Sequence, residues 1–144
     1  MKNGRFLITI LLLLTAISVC AQSQERSFAT AKVPFVFTVQ NTSLPAGTYV
    51  VSVLSPYNMI KVQSSDGRNG AMVPAIAARH SQDSAQAKLV FHRLGDHYFL
   101  AQVWEQGSKI HRDVLRGKLA RELATKGGEM EFTTVIANAS NAAR

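Results

Sequence analysis

The stretch KLVFHRLGDHYFLAQVW, residues 88–104, places one turn signal between two alternating apolar runs. Gly followed by Asp is typical of a two-residue type II′ hairpin, because glycine tolerates the positive φ of the first turn position. With Gly95 and Asp96 in the turn, Leu94 pairs with His97, and each step outward adds one cross-strand pair. The stretch therefore predicts two neighbouring antiparallel strands.

Both faces of this hairpin are substantially apolar, which is typical of strands that are covered on both sides. Strict alternation predicts one face with Val90, His92, Leu94, His97, Phe99, Ala101 and Val103. It predicts a second face with Leu89, Phe91, Arg93, Tyr98, Leu100, Gln102 and Trp104. On the second face, Arg93, Tyr98 and Trp104 are residue types that are enriched at binding hot spots. We expect them to form a contact surface, with ordinary strand packing as the alternative, and Arg93 to face the Tyr98 ring.

Alternation also predicts strands on both sides of the hairpin. They cover residues 33–39, 48–54, 59–63, 71–77 and 129–137. In the last of these, Met130, Phe132, Thr134 and Ile136 alternate with Glu131, Thr133 and Val135. The Pro-Ala-Gly run at 45–47 predicts a turn before the second strand.

One helix is predicted near the C-terminus, at residues 117–126. Leu115, Leu119 and Leu123 recur at every fourth position, and the Gly-Gly pair at 127–128 is a typical helix stop. Gly117 makes the helix start uncertain. About seven strands and one short helix predict an all-β, mainly antiparallel fold, either a small β-sandwich or a barrel.

The first 21 residues have the pattern of a secretory signal peptide. Lys2 and Arg5 precede an apolar run of about 14 residues, which is shorter than the roughly 20 residues that span a bilayer. Cleavage after Ala21 would remove Cys20, the only cysteine, and would leave no disulfide chemistry. An uncleaved anchor and acylation of Cys20 are the alternatives. We expect a secreted or periplasmic protein with a signal peptide at 1–21, a flexible lead-in at 22–31, one β domain at 32–137 and a disordered tail at 138–144.

Charge and motifs exclude several function classes. Without Lys2 and Arg5 the chain keeps 14 basic and 9 acidic residues, and the basic ones are spread along the sequence rather than gathered into a stripe with exposed aromatics. This distribution argues against nucleic-acid binding. No G-x-S-x-G elbow, P-loop or H-E-x-x-H motif occurs. We therefore expect no catalytic residues and no cofactor.

His92 and His97 are the only candidates for a metal site. In the predicted register they share a face as diagonal neighbours, roughly 7–8 Å apart. A stable site needs three or four ligands, and Asp96, His80 or His111 could supply another only through the fold. A hairpin with one half-buried and one exposed histidine is the simpler interpretation.

Several phrases together resemble a known group of proteins. The chain contains VPFVFTV, LPAGTYVVSV, LVFHRLGDHYFLAQVW and RELA. This set is similar to that of a family of small predicted secreted bacterial β-rich proteins, which have no assigned activity, ligand or catalytic residue. Gly117 stands where the family has a Ser or Thr cap, and Ala120 stands where it has a Glu. The resemblance implies a secreted β protein and implies no function.

The sequence as a whole predicts a non-enzymatic domain that acts by binding or by assembly, with an unknown partner or a second copy of itself. A carrier that holds a hydrophobic small molecule in the mouth of the barrel or sandwich is the first alternative. A metal-dependent enzyme that uses the histidines is the second. Membrane contact is expected only through the signal segment or a lipid on Cys20.

Overall fold

The structure, a computed structural model, describes residues 24–140. It contains ten strands and one helix. In chain order they are β1 (Gln24–Val33), β2 (Phe37–Val39), β3 (Thr42–Leu44), β4 (Gly47–Ser55), β5 (Met59–Ser64), β6 (Gly70–Arg79), β7 (Ala87–Leu94), β8 (His97–Trp104), β9 (Ile110–Val114), α1 (Lys118–Thr125) and β10 (Met130–Ala139).

Eight of the strands close into a barrel. Their order is β8-β7-β10-β1-β4-β5-β6-β9, and β9 pairs back to β8. Every pairing around the barrel is antiparallel, whereas β2 joins β8 in parallel at Thr38 and Phe99 and carries β3 on its other edge. The predicted all-β, mainly antiparallel class with one short helix is confirmed, with the barrel as its form.

The hairpin of β7 and β8 turns where the sequence predicts. Gly95 has a φ of 61°, and Arg93 pairs with Tyr98. Farther from the turn, Phe91 pairs with Leu100 but Val90 pairs with Gln102, so that Ala101 is an extra residue in β8. Such a β-bulge reverses the facing of every later residue on the bulged strand.

The barrel interior is filled by side chains. The largest fully buried ones are Tyr49, Phe37, Phe91, Ile60, Leu89, Val33, Val39, Val51, Val62 and Val103. The Phe37 ring meets the Tyr49 ring edge-on at 5.0 Å and the Phe91 ring at 5.4 Å. The Tyr49 hydroxyl donates a 2.6 Å hydrogen bond to the carbonyl oxygen of Pro45, so that the one polar atom of this cluster is satisfied.

Both ends of the domain differ from the sequence prediction. The expected flexible lead-in is wrong from Gln24 onward, because β1 pairs with β4 along its whole length. The Arg26 guanidinium makes two hydrogen bonds, of 2.6 and 2.7 Å, to the Glu105 carboxylate. At the other end β10 runs to Ala139, two residues past the predicted boundary. The signal peptide, Cys20 and the tail from residue 141 lie outside the described residues.

The start of α1 depends on a turn far away in the sequence. The Asn41 Oδ1 atom accepts a 2.9 Å hydrogen bond from the backbone N–H of Lys118, and it thereby caps the helix. Gly117 passes so close to the β2–β3 turn that a Cβ there would lie 1.7 Å from the Gln40 carbonyl oxygen. The missing Ser or Thr cap is thus supplied by Asn41, and only glycine fits at position 117.

The leucine repeat near α1 is only partly buried, since Leu123 packs against the cluster of Leu94, Phe99 and Ala120. Leu115 and Leu119 are 42% and 41% exposed, whereas Ala120 is buried against Leu94 and Phe99. A small residue is buried because α1 lies directly on the outer surface of β7 and β8. Within residues 24–140 no helix is long and apolar enough to cross a membrane.

Candidate functional site

The apolar side of β10 points away from the barrel interior. Residues 130–137 of β10 pair one to one with β7, and Phe132 lies opposite His92 while Thr133 lies opposite the fully buried Phe91. Paired residues share a face of the sheet. Phe132 and Ile136 therefore lie on the outside, where they are 69% and 54% exposed. Large apolar side chains in this position are informative, because a contiguous exposed apolar patch often marks an interaction site.

The exposed residues of β10 continue into cross-strand rows on β7, β8 and β9. We call this surface the outer face, and its two main rows are Phe132, His92 and Phe99, then Ile136, Lys88, Trp104 and His111. The first row is held by an edge-on contact of 4.9 Å between the rings of Phe132 and His92. In the second, the Trp104 ring stacks on His111 at 4.3 Å, with the Lys88 Nζ atom 4.6 Å from the Trp104 centroid. The rows together join aromatic, apolar and cationic groups on one surface.

A cleft of about 360 Å³ lies between α1 and the first row of the outer face. We call it the α1 cleft. Its apolar wall includes Leu94, Phe99 and Ala120, and Leu115 and Phe132 also line it. Its polar lining includes Gln40, His92, Gln102, Asp113 and Arg116. A mostly apolar wall with a few convergent polar groups is the usual composition of a small-molecule site.

Asp113 is held in place by a chain of hydrogen bonds. The Gln102 Nε2 atom donates to the Asp113 Oδ1 atom at 2.9 Å, and the Trp104 Nε1 atom donates to the Gln102 Oε1 atom at 3.1 Å. The His111 Nε2 atom lies 3.6 Å from the same Asp113 oxygen. The carboxylate thus has partners of its own, and the chain connects the α1 cleft with the second row of the outer face.

Arg116 has no such partner. Among residues 24–140 its guanidinium makes no ion pair, and its side-chain contact is from the Nη2 atom to the Met130 Sδ atom at 3.8 Å. Its positive charge reaches His92: burial first, and then Arg116, lowers the pKa of the His92 imidazole, while Asp113 opposes the shift. Burial and Arg116 thus both favour the neutral imidazole of His92, and Arg116 is the cation that the α1 cleft offers to a ligand.

The predicted contact surface of Arg93, Tyr98 and Trp104 is divided by the bulge at Ala101. The prediction that they share a face is wrong, because Trp104 pairs with Lys88 on the outer face while Arg93 and Tyr98 lie on the side of Phe91. The expected contact of Arg93 with Tyr98 is present, with the Arg93 Cζ atom 5.7 Å from the ring centroid.

The side chains of Arg93 and Tyr98 lie on the interior side of the sheet and stabilise the fold. The Tyr98 ring stacks on Phe35 at 3.9 Å, and the Phe35 ring meets Phe91 edge-on at 5.2 Å. This places Tyr98 at the end of the core. Arg93 donates to the carbonyl oxygen of Gly95 at 3.0 Å and pairs with Glu131 at 3.5 Å. Ordinary strand packing is thus the better interpretation for Arg93 and Tyr98, whereas Trp104 remains on an accessible surface.

The two candidate metal ligands share a face as predicted, since His92 pairs with Phe99 and His97 with Leu94. In the part of the chain that the structure describes, no group of three or more His, Cys, Asp or Glu side chains is arranged to hold a metal ion. The ring contact of His97 is with Phe99, at 6.2 Å. His80 and His111 lie instead beside Trp104.

Sequence reasoning missed the most exposed members of the site. Phe132 and Ile136 were recognised as one side of an alternating strand, but alternation alone does not show which side faces the solvent. Arg116 and Asp113 stand in a stretch where the sequence predicted no strand, and β9 (Ile110–Val114) is what brings Asp113 to the α1 cleft. The signal for β9 is its Ile-x-x-x-Val frame, which is too short to separate a strand from a loop.

Comparison of the chain with protein-family models, with curated proteins and with solved structures gave no match. The site is therefore interpreted from its own geometry.

Proposed function

We propose that this protein is a secreted or periplasmic, non-enzymatic binding domain whose ligand site is the α1 cleft with the adjoining outer face. The observation that carries the proposal is the outward apolar side of β10, where Phe132 is 69% exposed beside the α1 cleft. The proposed export rests on the apolar N-terminal run after Lys2 and Arg5. Binding on the outside is favoured because Tyr49, Phe37 and Phe91 fill the barrel interior.

The lining of the α1 cleft defines the ligand that we propose. Phe99 and Leu94 offer an apolar wall, and Arg116 offers a cation without a carboxylate partner among residues 24–140. Guanidinium groups bind carboxylate, sulfonate and phosphate oxygens through charge-assisted hydrogen bonds. The fitting ligand is an amphiphile with an apolar body and one anionic group.

The second candidate function is that of a carrier of a hydrophobic small molecule. Its binding site would be the α1 cleft rather than the mouth of the barrel. Its support is the volume of about 360 Å³, which falls within the range of roughly 300–1,000 Å³ for small-molecule sites. A carrier would bind its ligand as proposed above and would also release it at a second location.

The test uses two fluorescent probes that share an apolar body: anilinonaphthalene sulfonate, which carries an anionic group, and neutral phenylnaphthylamine. We expect Arg116→Gln to weaken binding of the sulfonate about tenfold, the value of one charge-assisted hydrogen bond, and to leave the neutral probe unchanged. Leu115→Ser should weaken both probes, because this side chain lines the α1 cleft.

Two residues of the chain serve as matched controls, Leu119 for Leu115 and Arg68 for Arg116. Leu119 is 41% exposed, as against 42% for Leu115, but does not line the α1 cleft. The Arg68 side chain is 85% exposed in a distant loop. Absence of saturable binding to the folded protein would overturn the proposal, and so would equal losses in Arg116→Gln and Arg68→Gln.

A further inference from the structure

One edge of β10 has no strand beside it over half its length. β10 pairs with β7 at residues 130–137, but it pairs with β1 only at Asn138 and Ala139. In that register Val33, the last residue of β1, would lie opposite Val135. The segment 130–134 therefore lies beyond the end of β1, and within residues 24–140 no strand pairs with its second edge.

Side-chain burial along β10 agrees with an open edge. Thr133 and Val135 are on the interior side of the sheet, opposite Phe91 and Leu89. Both of these β7 partners are fully buried, whereas Thr133 and Val135 are only half-buried. Thr133 and Val135 are thus less covered than their β7 neighbours, as expected for residues beside an open edge.

This edge has little of the usual protection against pairing with another strand. Exposed edges are normally blunted by Lys, Pro, a bulge or an inward charge, since their free N–H and C=O groups are a template for a further strand. The open segment reads MEFTT and contains neither Lys nor Pro. Its one charge, on Glu131, lies on the interior side of the sheet opposite Arg93, and the two are paired at 3.5 Å, which reduces the repulsion that an unpaired inward charge would exert. The middle residue is Phe132, the most exposed large hydrophobic side chain of the described residues.

We propose that a second copy of this chain pairs antiparallel with β10, across a two-fold axis at Phe132. The same edge then serves both protomers, as a two-fold interface requires. Phe132 faces Phe132 of the second copy, Glu131 faces Thr133, and no like charges lie opposite each other. Aromatic cross-strand pairs are among the more stabilising pairs in sheets. The proposal goes beyond the proposed function and does not depend on the α1 cleft.

Because Phe132 would face Phe132 of the second copy, the proposal can be tested specifically by sedimentation velocity of the full-length chain. We expect the unchanged protein to form a dimer whose fraction rises with concentration. Phe132→Lys and Phe132→Glu should each be monomeric, because like charges then face each other. Their equimolar mixture should form dimers again, since Lys now faces Glu. Met72→Lys is the control, at a 52% exposed residue of β6, and circular dichroism verifies that each variant is folded.

A cysteine experiment tests the axis itself. In a Cys20→Ser background, Phe132→Cys should form a disulfide-linked dimer, because facing antiparallel residues have Cα atoms roughly 4.5–5.5 Å apart and disulfides span about 4.4–6.8 Å. Met72→Cys should not. A protein that stays monomeric at every concentration, as expected if this edge receives a strand from another protein, would overturn the proposal. A dimer that persists in both charge variants would overturn it as well.

Discussion

β4 and β10 both alternate large apolar residues with other residues, but their large apolar residues lie on opposite sides of the barrel wall. In β4, Tyr49, Val51 and Val53 form the apolar side, and all three are buried in the barrel. In β10 the large apolar residues Phe132 and Ile136 also alternate, yet they are 69% and 54% exposed. Alternation therefore identified both strands, but it did not show which side of each strand faces the interior.

The difference arises from the neighbours of the two strands. β4 is paired along both edges, with β1 and with β5. β10 is fixed mainly by β7, and its register places Phe132 opposite His92 rather than opposite the buried Phe91. One residue of register reverses the facing of a whole strand. The outward side of β10 is thus a consequence of pairing, and it supplies the surface on which both proposals rest.

The largest expected difference in stability is between variants of two phenylalanines that lie on opposite sides of the barrel wall. Phe91 is fully buried and Phe132 is 69% exposed. At a protein concentration at which the chain is monomeric, Phe91→Ala should lower the free energy of unfolding by about 3–5 kcal/mol, whereas Phe132→Ala should change it by less than about 0.5 kcal/mol. Urea denaturation of both variants measures the difference. Similar losses in the two variants would mean that β10 faces the core.

A smaller effect is expected where α1 covers the outer surface. In Gly117→Ala the new Cβ would lie 1.7 Å from the Gln40 carbonyl oxygen, whereas in Gly128→Ala the nearest atom would be 3.5 Å away. We expect the first variant to lose about 1–3 kcal/mol, as in other overpacked sites, and to expose Leu94 and Phe99. Thermal unfolding and protection of the Lys118 amide from hydrogen exchange measure both effects. Equal stability of the two variants would contradict the close approach.

The smallest effect concerns the dependence of stability on pH. The pKa of His92 is lowered by burial, and further by Arg116, so the unfolded chain binds this proton more readily than the folded chain. Stability contributed by neutral His92 is thus complete above the ordinary histidine pKa of about 6.5 and is lost as the pH falls from that value through the lowered pKa of the folded state. His92→Gln should flatten the decrease between neutral and mildly acidic pH in urea denaturation. His97→Gln is the matched substitution, and equal effects of the two would contradict the assignment to His92.

Local signals predicted much of this fold. Gly95-Asp96 fixed the hairpin, the alternating runs marked most of the strands, and Gly127-Gly128 ended the helix close to its observed end. These features depend on residues that are neighbours in the chain. β1 was missed because its inward residues include Ala29 and Ala31, whose small side chains give little contrast with the polar residues between them.

The features that position the site depend on distant partners. Asn41, whose side chain caps α1, is 77 residues away in the sequence from Lys118, whose N–H donates the capping hydrogen bond. The bulge at Ala101 is defined by the pairing of β8 with β7, and nothing in the local sequence marks an extra residue there. The facing of Phe132 depends on the same pairing partner. Sequence alone therefore predicts the correct class of fold, whereas the contact surface that it predicts on one face is divided between two faces in the structure.

The most direct test of the outward side of β10 is the labelling of two adjacent cysteines in a Cys20→Ser background. Ile136 is 54% exposed and Ala137 is 6% exposed. With a thiol reagent under native conditions, Ile136→Cys should react without unfolding of the protein, and Ala137→Cys should react only as the protein unfolds. Fast labelling of Ala137→Cys with protection of Ile136→Cys would place the apolar side of β10 inside the barrel and would contradict the account.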